Sequence, residues 1–284
     1  MRTLKKKHTA RYSPIADLET HSPLPTFQLQ QIDPFIFLNH HGPQVYPQNN
    51  QGLPFGPHPH RGMETVTFVI DGDIMHKDST GAVSVINAGG IQWMTAGKGL
   101  IHAEVSSPEF MKNGGQLEIL QLWLNLPAKY KMIEPFYKGL QEHEIPKITL
   151  DHNAGTLQLI SGNFNDSQGA FQSVTGVFLS VLYLNAQKSI TFNAPKENSI
   201  FFYVVRGTLT VNTHGVKMLD LLEFAYDNEQ INIETSTDCI VLYGHCKPIS
   251  EPFVAQGPFV MNTEQEILEA YDDYRKGKFG VWKH

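Results

Sequence analysis

The feature that most restricts the fold is how often the chain signals a turn between residues 62 and 125. METVTFVI is followed by Asp71-Gly72-Asp73, IMHKD by Ser79-Thr80-Gly81, AVSVI by Asn87-Ala88-Gly89-Gly90, and IQWMT by Ala96-Gly97-Lys98-Gly99. LIHAEVS and QLEILQLWLNL then flank the polar loop SPEFMKNGG. Turn residues recur too often for helices, and short strands so closely spaced predict an antiparallel sandwich or barrel.

A second all-β run follows a break. Residues 134–156, EPFYKGLQEHEIPKITLDHNAGT, carry two prolines and many charges and are expected to link two domains, 1–133 and 157–284. Beyond them, GVFLSVLYLNA, KSITFNA, NSIFFYVVRGTLTVNT, VKMLDLLEFAY, EQINIET and DCIVLYGH read as strands. FVIDGDIMH at 68–76 aligns with YVVRGTLTV at 203–211, which predicts two related β-domains. Near the end, Thr263 stands three residues before Glu266 as a capping box, and Gly277 follows a basic last turn. A helix over about 264–276 is expected, with Ile267, Leu268, Ala270 and Tyr271 as its apolar stripe in the second domain.

Bulk properties narrow the class. With 41% hydrophobic and 18% charged residues the composition is that of a globular protein. A net charge of -6 and a pI near 6.1 argue against a surface built for nucleic acid. No apolar run approaches the roughly 20 residues that span a bilayer. The start, MRTLKKK, has no apolar stretch behind it, so it reads as a solvated tail of a cytoplasmic protein. The two cysteines, Cys239 and Cys246, offer no disulfide framework and are expected to be reduced and partly buried.

Chemistry concentrates in PHPHRGMETVTFVIDG. If one strand runs through it, His58, His60, Glu64, Val66, Phe68 and Ile70 share a face, since side chains alternate with period two. Imidazoles among large apolar groups need partners, and a metal ion is one candidate. A second cluster, AGKGLIHAE, places His102 and Glu104 on one parity after two turn glycines. Two such pairs on neighbouring strands would present three imidazoles and a carboxylate to one point. Nitrogen and carboxylate donors without thiolate suit iron(II), manganese, nickel, copper(II), cobalt or zinc, with coordination positions left open. Elsewhere, His40 and His41 in LNHHGP read as loop residues, Trp93 as core or pocket wall, His76 and Lys77 as solvated, and Arg61 as an ion-pairing residue in the wall.

PHPHRGMETVTFVIDGDIMHKDSTG, IQWMTAGKGLIHAE, GPFVMNTEQEI and IDPFIFLNHHGP resemble the pirin family of the cupin superfamily, over nearly the whole chain from about residue 10. The resemblance implies an all-β bicupin, two antiparallel β-barrel domains with a short C-terminal helix, in which only the N-terminal barrel holds metal. It implies His58, His60, His102 and Glu104 as ligands of one divalent ion, usually iron. Glu64 would orient a ligand imidazole or substitute as a ligand, and His41 would lie near the pocket mouth. Positions matching His58 and His60 in the second half fall on Asn193 and Pro195, so that half is expected to be scaffold. The implied activity is a quercetin 2,3-dioxygenase acting on a flavonol-like substrate and dioxygen, with Glu104 as base, in a monomer without membrane or nucleic-acid partner. The alternative is an iron-binding, redox-responsive regulator that binds a protein partner.

Overall fold

The computed structural model describes residues 1–283, and they divide into two compact units, each made of several segments. One contains Tyr12–Ser22, Ile36–His143 and the chain from Ile249 on; the other contains Met1–Arg11, Pro23–Phe35 and Glu144–Pro248. No described helix is long and apolar enough to cross a membrane.

In the first unit, the expected single strand through PHPHRGMETVTFVIDG is two strands, Phe55–His60 and Met63–Asp71, and they belong to different sheets. The break falls at Arg61-Gly62. Gly62 adopts φ +79°, and a Cβ there would lie 2.0 Å from the Val260 carbonyl oxygen, so only glycine fits the turn. Its N–H donates to the Gly97 carbonyl at 2.9 Å, which ties this turn to the one preceding Leu100–Val105. Parity therefore holds within each histidine strand but does not carry from His60 to Glu64.

Met63–Asp71 lies inside the larger sheet, between Ile91–Thr95 and Gly115–Asn125, and Phe136–Leu140 extends the sheet beyond Ile91–Thr95. Its β-branched and aromatic residues are buried almost throughout, as befits a strand covered on both faces. Val66, Phe68, Leu120, Leu122 and Leu124 are all fully buried, each contributing about 1.5–3 kcal/mol of transfer free energy. The smaller sheet runs Phe55–His60, Leu100–Val105, Asp73–Asp78, Val83–Asn87. The two sheets are separate, in keeping with the sandwich form of the expected cupin fold, and do not close into a barrel.

The helix spans Glu264–Arg275, and its capping box is complete, with the Thr263 hydroxyl on the Glu266 N–H and the Glu266 carboxylate on the Thr263 N–H. It packs in the first unit, not with the C-terminal half: Ile267 and Ala270 meet Phe259, Met261, Phe279 and Ile101. Leu268, expected in the apolar stripe, is exposed. Arg61 is the expected ion-pairing residue. It donates to Asp273 at 3.0 Å and to the Lys98 carbonyl at 2.7 Å, with its guanidinium 4.6 Å from the centre of the Phe279 ring.

The second unit repeats the plan. Its smaller sheet runs Ser189–Asn193, Gln230–Thr235, Thr208–Val211, His214–Lys217, which is the first unit's order with each strand replaced by its counterpart. The aligned hairpins turn at Gly72 (φ +82°) and Gly207 (φ +92°), confirming the internal repeat. The segment read as a linker holds two edge strands, Phe136–Leu140 on Ile91–Thr95 and Lys147–Leu150 on Gly155–Ser161. The start of the chain is not a solvated tail. Leu4–Thr9 pairs with Asp220–Phe224, and Arg2 is buried, its guanidinium donating to the carbonyls of Ala225, Pro195, Lys196 and Asn198 at 2.5–3.1 Å. Cys239 and Cys246 are free and buried, and burial pushes the Cys246 thiol up to about 11.

Candidate metal centre

Cross-strand register brings the histidines together. His102 lies opposite His58, and Leu100 opposite His60. Ring centroids are 4.4 Å apart for His58 and His102 and 4.9 Å for the other two pairs, and one nitrogen from each ring falls within 4.8 Å of the other two. His60 and His102 are buried, His58 half-buried.

The surroundings select the tautomers. His58 Nδ1 lies 2.8 Å from the Gly56 carbonyl and His60 Nδ1 lies 3.1 Å from the Pro258 carbonyl. A carbonyl only accepts, so each Nδ1 carries a proton, and in the neutral ring Nε2 is then the atom with a lone pair to offer. His60 Nε2 is buried without a hydrogen-bond partner, while His58 and His102 Nε2 face each other at 3.0 Å. Burial, reinforced by His58, lowers the His60 pKa to about 3; burial and the neighbouring rings hold His102 well below 6.5. Three imidazoles whose nitrogens converge, with burial holding His60 and His102 toward the neutral form, are the kind of donor set a divalent transition metal takes, so the residues fit such an ion.

Glu104 is buried beside this trio but is not one of the group whose donor atoms lie within 4.8 Å of one another. Its carboxylate is held by three donors. Thr67 Oγ1 at 2.9 Å and Gln92 Nε2 reach Oε1, and Gln121 Nε2 reaches Oε2. Glu64, carried into the larger sheet by the break at Gly62, accepts from Thr95 Oγ1 at 2.7 Å, and burial pushes its carboxyl up to about 7.

Other expected residues land elsewhere. His40 and His41 lie within the strand Phe35–Tyr46, not in a loop. His40 pairs with buried Glu118 at 2.8 Å, and His41 contacts Thr20 at 2.9 Å and the Phe55 ring, with burial lowering its pKa to about 3. Trp93 is buried opposite Val66 as a core residue. His76, expected to be solvated, is buried; its Nε2 pairs with Asp78 at 2.9 Å, and its ring stacks on Tyr137 at 3.7 Å and lies 5.5 Å from His102. Lys77 is half-buried.

Sequence reasoning missed Thr67, Gln92, Gln121, Tyr137 and Trp123. Trp123 stacks on Phe37 and stands edge-on to His60 at 5.1 Å. One signal was available: a glutamine inside an apolar strand, as in IQWMT and QLEILQLWLNL, must find a partner once buried.

An internally repeated double-sheet fold with a three-histidine cluster in one half defines a bicupin with a candidate divalent-metal site. The chain belongs to the pirin family: residues 17–124 match the Pirin model and residues 180–280 the Pirin C-terminal cupin domain. It is 38% identical over 250 residues to "Putative quercetin 2,3-dioxygenase PA2418" of Pseudomonas aeruginosa, covering 88% of this chain and 87% of that one. It is 35% identical over 260 residues to a pirin-like protein of Caulobacter vibrioides, covering 90% and 91%. The crystal structure of a quercetin 2,3-dioxygenase from Acinetobacter baumannii superposes with a TM-score of 0.92 at 31% identity over 99% of both chains.

Proposed function

We propose that the protein is a metal-dependent dioxygenase that opens flavonols such as quercetin, with one divalent ion held by His58, His60 and His102 and with Glu104 as the fourth donor and base. The observation that carries this reading is the buried, unpartnered Nε2 of His60 beside two further imidazoles, in a chain that matches a quercetin 2,3-dioxygenase end to end. A bound ion of this type supplies a Lewis-acid site with positions open to substrate and dioxygen.

The chain's own residues do the rest. The carbonyls of Gly56 and Pro258 fix the His58 and His60 rings, so the donor set is organised before any ion arrives. Glu104 accepts the proton of the flavonol hydroxyl, which turns the substrate into its oxidisable anion. Ring opening then consumes dioxygen and releases carbon monoxide.

The test is anaerobic reconstitution with iron(II), nickel(II), copper(II) or manganese(II), followed by quercetin and oxygen. Bleaching of the flavonol with at least one ion is expected. Silence with all four, in protein that has taken up metal, would shift the function to the iron-binding regulator. Glu104→Gln should retain some metal but lose turnover; unchanged turnover would remove it as the base.

A further inference from the structure

The two glutamines on Glu104 are built alike. Gln121 sits on Gly115–Asn125 and Gln92 on Ile91–Thr95, strands that flank Met63–Asp71 on opposite sides of the larger sheet. Each donates its amide N–H to a different oxygen of Glu104. Each also has its amide oxygen capped by an aromatic donor: Trp123 Nε1 donates to Gln121 Oε1 at 3.1 Å, and the Tyr137 hydroxyl donates to Gln92 Oε1 at 3.2 Å. An indole N–H only donates, so the atom facing Trp123 must be the amide oxygen, and the NH2 is turned to the carboxylate. Tyr137 is itself fixed by Ser84 Oγ at 2.5 Å and by stacking on His76, whose ring is held by Asp78.

We propose that Gln92 and Gln121, oriented by Tyr137 and Trp123, are positioning residues that clamp Glu104 and leave it one acceptor position for the reaction. A carboxylate offers about four lone-pair sites. Thr67 and Gln92 fill both on Oε1, and Gln121 fills one on Oε2. The single position left, on Oε2, can face the ion or take the flavonol proton but not both at once, so the two roles of Glu104 alternate. The clamp is made of neutral donors, so it fixes the carboxylate's direction without a cation that would compete with a metal ion for it. Without the clamp, Glu104 would be free to rotate and present either oxygen, or both. This proposal rests on the reading of His58, His60 and His102 as the metal centre only for its catalytic consequence; the hydrogen-bonded chain from Trp123 to Glu104 is independent of it.

The test has two arms. In metal-free, 15N-labelled protein, Glu104→Gln should shift the Trp123 indole N–H resonance, because a neutral amide at 104 frees Gln121 to turn, although the indole bonds to Gln121 and not to residue 104. An unmoved indole resonance in the folded variant overturns the clamp. In cobalt(II)-loaded protein, Gln121→Met and the milder Tyr137→Phe should change the visible absorption of the cobalt while its stoichiometry holds. With the active metal, kcat should fall about tenfold and KM should stay within about twofold. Tyr137→Phe keeps the ring stacked on His76 and guards against misfolding of the glutamine variant. Wild-type cobalt absorption and kcat in both folded variants would overturn the positioning role. Wild-type protein that takes up no cobalt or turns over no flavonol, with the indole still responsive, would instead sink the functional reading and leave the clamp standing as structure.

Discussion

Two buried glutamates on neighbouring parts of the fold show how much a residue's role depends on what hydrogen-bonds to it. Glu104 receives three side-chain donors, whereas burial dominates at Glu64 and pushes its carboxyl up to about 7 despite the Thr95 hydroxyl. The sign of the consequence is fixed. In the unfolded chain a glutamate titrates near 4.3, so between about pH 4.5 and 7 the folded protein holds a proton that the unfolded chain has released. The stabilising contribution is therefore complete at acid pH and is lost as pH rises through the folded value. By pH 8 the carboxylate costs the fold on the order of 3 kcal/mol. Glu64→Gln, neutral throughout, should raise the urea midpoint of the metal-free protein at pH 8 and barely change it at pH 4.5. Parallel pH profiles for variant and wild type would mean that Glu64 ionises normally. At this scale the sequence exposed the histidines because His-x-His and His-x-Glu carry their geometry in two-residue spacing. It hid the clamp because Gln92, Gln121 and Thr67 lie on three different strands, and their convergence depends on sheet order.

At the scale of elements, the clearest departure from expectation is the N-terminus. Lys5, Lys6 and Lys7 made the segment look solvated, and all three are indeed exposed. Exposed lysines are also what an edge strand carries, and charge alone does not separate the two cases. The residue that decides it is Arg2, which supplies hydrogen bonds to four backbone carbonyls and is 1% exposed. Arg2→Ala strands those carbonyls without donors and should lower unfolding stability by about 2–4 kcal/mol, measured by urea denaturation. Lys6→Ala, on the strand that follows Arg2, should stay within about 0.5 kcal/mol. Equal effects would mean that the Arg2 hydrogen bonds contribute nothing. The C-terminal helix was legible from its cap, since Thr263 and Glu266 announce it locally. Its assignment to the first unit was not, because that depends on packing with Ile101, which lies more than 150 residues upstream of the helix and its flanking Phe259 and Phe279.

For the molecule as a whole, repetition of the fold without repetition of the site makes the sharpest demand. The smaller sheet of the second unit pairs Asn193 with Gln230 and Thr191 with Asn232, on strands matching those that carry His58, His60 and His102. Amide and hydroxyl groups bind first-row transition ions far more weakly than imidazoles do. The sequence alignment of the two hairpins sets Asn193 and Pro195 at the places of His58 and His60; Asn193 ends the strand Ser189–Asn193 and Pro195 lies beyond it. Discontinuity of the units was not foreseeable, since nothing in Met1–Arg11 signals that it completes a sheet more than 200 residues downstream. Metal analysis of protein loaded with excess ion and then desalted should return about one ion per chain. His60→Ala combined with His102→Ala should reduce this below about a tenth, with the circular dichroism spectrum of the wild type retained, because a single imidazole cannot hold the ion through desalting. A full equivalent of metal surviving in the folded double variant would place the tight site outside the three-histidine centre and remove the structural basis for the proposed chemistry.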